Sequence, residues 1–143
     1  MPIEIYDTTL RDGTQAENFN LSVDDKIRIT RQLDRLGIDF IEGGWPGSNP
    51  MSVEYFQKIR GVTLEHARVS AFGSTRHFKN PPDKDPNLLA LLAAGTPAVT
   101  IFGKSWDVHV HDALRIDLQD NLLIIQDSLA FLRPQVEVLL YDA

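Results

Sequence analysis

The chain has 143 residues, 43% apolar and 24% charged, a composition that suits one soluble globular domain with its own core and does not suit a disordered segment. A formal net charge of −6 and a pI near 5.1 argue against a general binder of nucleic-acid backbone, which needs a basic surface. The absence of cysteine rules out disulfides and thiolate ligands, no apolar run approaches the ~20 residues that span a bilayer, and Met1-Pro2-Ile3-Glu4 is no signal peptide, so the chain reads as cytoplasmic, with neither membrane nor nucleic acid as partner.

Ile3, Ile5 and Tyr6 form a short first strand, which runs into Arg11-Asp12-Gly13, a turn at its carboxyl end. Ala16 to Leu21 is a polar loop. Ser22 with Asp25 three residues on predicts a helix start, Val23, Ile27, Leu33 and Leu36 share a broad apolar face, and Gly37 stops the helix. Ile38 to Glu42 is a second strand, ended by the turn-rich run Gly43 to Pro50. A short helix covers about Met51 to Arg60. Arg68 to Phe72 is a third strand, followed by a surface loop through Pro81-Pro82. Asp85-Pro86 starts a third, leucine-rich helix that stops at Gly95. Ala98 to Phe102 is a fourth strand. Asp117 caps a last helix whose leucines and isoleucines recur at three and four, Pro134 closes it, and Val136 to Tyr141 is a fifth strand.

The strand-helix unit therefore repeats from Ile3, Ile38, Arg68, Ala98 and Val136. A complete eight-fold barrel takes ~250 residues, so this length supplies about four and a half units. Alternation alone fits a small doubly wound sheet equally well.

Tyr6-Asp7-Thr8-Thr9-Leu10-Arg11-Asp12-Gly13-Thr14-Gln15 resembles the opening strand of the metal-dependent Claisen-condensing and retro-Claisen enzymes. These are the isopropylmalate, homocitrate and citramalate synthases and hydroxymethylglutaryl-CoA lyase, all built on a (β/α)8 barrel. The agreement continues through Ile41 to Pro50, Ala71 to Arg76, Thr100 to Trp106 and Tyr141-Asp142-Ala143, all at predicted strand ends, and is nearest to the citramalate branch. The resemblance implies an α/β fold, the N-terminal half of a TIM barrel over residues 1–143. It implies condensation of acetyl-CoA with a 2-oxo acid such as pyruvate, then thioester hydrolysis to citramalate and CoA on a route to isoleucine. It implies a divalent metal, Mg2+, Mn2+ or Zn2+; the open edges that strands one and five would present in a half-barrel standing alone predict a homodimer.

The same resemblance assigns roles by position. Asp12 is a hard oxygen ligand for the metal. Arg11 carries a permanent charge where a ketone becomes an alkoxide, and Glu42 holds Arg11 or the substrate. Gln15, Thr75 and Arg76 contact substrate, although an arginine at a strand end also serves as an ion-pair partner. The family's His-x-His metal pair on a late strand has no counterpart here. His109-Val110-His111 imitates it, but lies in the loop or first turn after the fourth strand rather than on a strand. His66 and His77 are surface residues, and Trp45 and Trp106 pack near the barrel mouth. The chain reads as a half-barrel fragment that is silent by itself, with inward-facing Ile and Val side chains lacking an opposing layer. A non-catalytic half-barrel that binds a small acid is the competing reading.

Overall fold

The computed structural model describes residues 3–17 and 19–143. Five strands, β1 (Tyr6–Asp7), β2 (Phe40–Gly44), β3 (Arg68–Ser74), β4 (Ala98–Phe102) and β5 (Val138–Asp142), pair in parallel in the order β1-β2-β3-β4-β5. That order decides between the two architectures. A doubly wound sheet reverses its direction of growth partway across, whereas here every strand adds to the same side of the one before it, as in a barrel wall. The chain is a half-barrel.

Helices α1 (Val23–Leu36), α2 (Pro50–Ile59), α3 (Pro86–Ala94) and α5 (Leu118–Leu132) form the connections. A short α4 (Asp107–His109) running into a π-helical turn (Val110–Leu114) lies between β4 and α5. Local chemistry sets the ends. Ser22 and Asp25 form a reciprocal capping box on α1, and Gly37 ends that helix in the left-handed region at φ 86°. The Asp85 carboxylate accepts from the Asn87 and Leu88 amides at the start of α3.

The two faces of the sheet differ in kind. Toward the helices, Ile41, Val69, Ala71, Val99 and Ile101 join Tyr55, Phe56, Leu88, Leu91 and Leu132 in one buried core. The concave face carries Tyr6, Glu42, Ser70, Phe72, Thr100 and Phe102. The expectation of inward-facing Ile and Val is therefore wrong for β2, β3 and β4: with a period of two, those residues occupy the helix-facing positions, and polar and aromatic side chains take the interior.

Two other expectations change. The first strand is only Tyr6–Asp7: Ile3 is 91% exposed, and Ile5 precedes the strand, although its carbonyl accepts from the Asp39 and Phe40 amides. On α1, Leu36 is exposed, and the deeply buried stripe is Val23, Lys26, Thr30 and Asp34. Its polar groups are matched. Thr30 Oγ1 lies 2.8 Å from Tyr55 Oη, and the Asp34 carboxylate accepts from the amides of Glu65, His66 and Ala67 at 2.7 to 3.0 Å. Among the described residues no helix is long and apolar enough to cross a membrane.

Candidate active site

The turn after β1 makes the first wall of the site. The Asp7 carboxylate accepts from the Thr9 amide and hydroxyl, and the Thr8 carbonyl accepts from the amides of Arg11, Asp12 and Gly13 at 2.9 to 3.2 Å. Leu10, fully buried, anchors the turn in the core. Arg11 is thereby thrown across the top of the concave face. Its Nε donates to Glu42 Oε1, its Nη1 donates to Asp12 Oδ1 at 3.1 Å, and its guanidinium carbon lies 4.0 Å from the centre of the Phe72 ring. Nη2 has no acceptor among the described residues.

Beneath Arg11 lies a chain of hydroxyls. Tyr6 Oη donates to Glu42 Oε2 at 2.7 Å, Thr100 Oγ1 is 2.7 Å from Tyr6 Oη, and Ser70 Oγ is 2.9 Å from Thr100 Oγ1. Each hydroxyl has one proton to give. An ionised Glu42 only accepts, so Tyr6 donates to it, Thr100 to Tyr6 and Ser70 to Thr100. Every proton in the chain then points toward Glu42. Burial pushes the Glu42 carboxyl above its ordinary range, against the opposing pull of the Tyr6 hydroxyl and Arg11, and burial also pushes the Tyr6 phenol up and keeps it protonated. With Glu42 only 2% exposed, the groups offered to solvent here are the Arg11 guanidinium and the Asp12 carboxylate.

β2 carries a bulge between Glu42 and Gly44, with Gly43 as the extra residue. Glu42 points inward. Both Gly43 and Gly44 turn toward the helices, where a Cβ would overlap Tyr55 on the first and Ser52 on the second. Trp45 therefore returns to the concave side, which uninterrupted alternation would have denied it. There it meets Phe72 and Phe102 edge-on, at 5.8 and 5.6 Å between ring centres, and its indole nitrogen donates to Asn87 Oδ1 at 2.8 Å. A cavity of about 510 Å³ opens between this aromatic wall and Arg11, with Gln15, Lys104 and Asp142 also on its border.

A neighbouring cavity of about 720 Å³ shares Trp45, Phe102 and Lys104 with the first and reaches Thr75 and Arg76. The Arg76 guanidinium is held by Asp127 at 2.6 Å and by the carbonyls of His77, Phe78 and Asn80, while its backbone amide donates to Ser128 Oγ. Arg76 ties the loop after β3 to α5. The structure thus brings Arg11, Asp12, Gln15 and Glu42 together and sets Thr75 and Arg76 in the adjoining space.

Among the described residues no three His, Cys, Asp or Glu side chains gather where a metal ion would be held. Asp12 by itself is one carboxylate, and the donor set present does not make a metal site. His109 and His111 lie on α4 and its π continuation, both exposed. His109 packs against Trp106, 4.7 Å between ring centres. Trp106 itself is 58% exposed, so it is not the packing residue the sequence suggested. His66 and His77 are exposed, as read.

The hydroxyl chain was missed in the sequence, yet it left a trace. Ser70 and Thr100 interrupt the apolar runs Val69-Ser70-Ala71 and Val99-Thr100-Ile101 at the inward positions. A polar residue alternating with buried aliphatic ones marks a face that binds rather than packs.

The HMGL-like family model matches residues 2–139. The chain belongs to the HMGL-like family. Over 141 residues this HMGL-like chain is 55% identical to the (R)-citramalate synthase of Geobacter sulfurreducens, covering 99% of itself and 27% of that protein. Over 140 residues it is 34% identical to the 2-isopropylmalate synthase of Listeria monocytogenes serotype 4a, covering 98% of itself and 26% of that protein. It spans about a quarter of the length of these curated relatives. The hydroxymethylglutaryl-CoA lyase of Pseudomonas aeruginosa superposes with a TM-score of 0.65 at 26% identity, over 95% of this chain and 44% of that one. A half-barrel matched to under half of a solved relative agrees with the strand order.

Proposed function

We propose that this HMGL-like chain carries one side of the active centre of a cytoplasmic acyltransferase that condenses acetyl-CoA with pyruvate. Carbon-carbon bond formation at the ketone and hydrolysis of the thioester by water would give citramalate and CoA. The observation that carries this reading is the Arg11 guanidinium, fixed between Glu42, Asp12 and the Phe72 ring, with Nη2 left over beside a cavity. A cation held this way needs no reorganisation when a ketone oxygen becomes an alkoxide beside it, which is the condition for a large electrostatic contribution. Glu42, pinned by Tyr6 and the hydroxyls behind it, keeps the guanidinium in place. Gln15 orients a bound group through its amide, and Thr75 and Arg76 border the adjoining cavity, where Thr75 is the freer of the two to meet substrate. Asp12 would give one oxygen ligand to the divalent ion implied by the family, Mg2+, Mn2+ or Zn2+, which would act as a Lewis acid on a ketone; the described residues do not complete a site for it. For a half-barrel standing alone we also propose a homodimer, since among the described residues β1 and β5 have no outer neighbour in the sheet.

The aromatic wall of Trp45, Phe72 and Phe102 leaves little give for a branched side chain, and the greater identity to citramalate than to isopropylmalate synthase points the same way. Pyruvate is therefore expected over 2-oxoisovalerate, which has two more methyl groups, by ~1 to 3 kcal/mol for each. Steady-state release of CoA with each acid, in a chain extended to the relatives' length, tests this. Preference for the longer acid would overturn the substrate assignment.

A further inference from the structure

Lys26 is 4% exposed, at the centre of the α1 surface that faces β2, and no carboxylate among the described residues forms an ion pair with it. A buried ammonium without a counter-charge is costly, and an aliphatic side chain would fill the same space without that cost. The one hydrogen bond its ammonium makes among the described residues identifies what the charge is for. Nζ donates at 3.2 Å to the carbonyl of Gly43, the extra residue of the β2 bulge, and lies 5.7 Å from the centre of the Tyr55 ring. The same nitrogen sits 3.7 Å from the point where a Cβ on Gly44 would be, and Gly44 has φ 149°, a conformation that side chains disfavour. The ammonium thus closes over the two residues that change the direction of the strand.

We propose that Lys26 is a positioning residue of the site: by holding the Gly43 carbonyl it fixes the bulge that turns Trp45 onto the concave face beside Glu42. The lysine reaches no cavity of the site. Its effect passes through Gly43 to Trp45, whose indole closes the aromatic wall opposite Arg11 and is held there by Asn87. Burial draws the Lys26 pKa below its ordinary value, as suits an ammonium sealed between a helix and a strand. A lysine with a purely space-filling role would have no reason to point at this carbonyl.

The catalytic meaning of Trp45 rests on the function proposed above, but the positioning itself is tested without substrate, so the two fail separately. The chain has two tryptophans, so Trp106→Phe leaves Trp45 as the sole indole. In that background the Trp45 indole N–H is followed by NMR in Lys26→Met and Lys26→Arg. Removing the ammonium is expected to shift the indole resonance and to speed its exchange with water about tenfold, the effect of losing one hydrogen bond from a charged group. Arginine, which keeps charge and donor, is expected to restore most of the protection. An unchanged indole in a folded Lys26→Met chain would overturn the proposal. So would global unfolding of Lys26→Met, or a Lys26→Arg chain as perturbed as Lys26→Met, since the side chain would then support the fold as a whole or the site by shape alone.

Discussion

Thr100 and Ile101 are neighbours on β4 and belong to different regions of the molecule. Ile101 is fully buried among the helices, and its contacts are dispersion and excluded water. Thr100, 4% exposed, faces the concave side, and its contacts are hydroxyls aligned toward Glu42. The two faces are thus equally dry at this point and chemically opposite. Burial on the helix side stabilises the fold, whereas burial on the concave side raises the cost of charge and makes each hydrogen bond specific.

The sharpest way to break this contrast is to cut each face in turn. Ile101→Ala is expected to lower stability by about 2 to 5 kcal/mol, read from urea unfolding, because it leaves a cavity in the helix-side core. The pH response of Glu42 should survive that change. An Ile101→Ala chain that lost the Glu42 response while still folded would show that the faces are not separable.

Gly43→Ala places a methyl against Tyr55 and Phe56, side chains packed in the core with no room to withdraw. A loss of about 1 to 3 kcal/mol is expected, with Trp45 displaced because the bulge must move. A neutral result would mean that the bulge relaxes freely.

Thr100→Val keeps the shape and removes the link between Ser70 and Tyr6. The expected cost is about 1 kcal/mol, and the Tyr6 phenol proton should exchange faster with water. An unaltered Tyr6 would count against a directed chain of hydroxyls.

The smallest effect is a pH dependence whose sign differs between a carboxyl of the concave face and one on the helix side. Burial raises the folded Glu42 pKa, so the stability tied to its protonation is fully present below the unfolded value and is lost as pH rises through the raised one. Asp34 is the reverse: burial alone would push it up, but three backbone amides hold it below the unfolded value. Its contribution is present above the unfolded value and is lost as pH falls through the lowered one. From pH of about 4 to about 7, Glu42→Gln should therefore gain on the parent while the deficit of Asp34→Asn holds steady, and below pH of about 4 that deficit should shrink. Parallel trends in the two variants would contradict the contrast between the faces.

Much of this was readable in the residues. Ser22, Gly37, Asp85 and Gly95 placed the ends of α1 and α3 because caps are local chemistry, and Arg11 and Glu42 were named from the family resemblance at the strand ends. What stayed hidden was set by partners remote in sequence. Alternation could not say which face of β3 looked inward until the strand order was known, so the inward Ile and Val were misplaced. The burial of Lys26 left no signal in the sequence, since nothing in its neighbourhood announces that Gly43 waits for it 17 residues on. For Arg76 the sequence left substrate contact and an ion pair both open, because its partner, Asp127, lies 51 residues away.

The central claim is that the concave face beneath Arg11 holds a charge for a developing alkoxide, and it is tested most directly by Arg11→Lys. In a chain extended to the length of its relatives, the measurement is the steady-state rate of CoA release from acetyl-CoA and pyruvate. Lysine keeps the charge but not the planar fork that reaches Glu42 and Asp12 together while lying on Phe72. The account predicts a fall in kcat of about a hundredfold or more, with the KM for acetyl-CoA little changed. Equal kcat for the variant and its parent would contradict it.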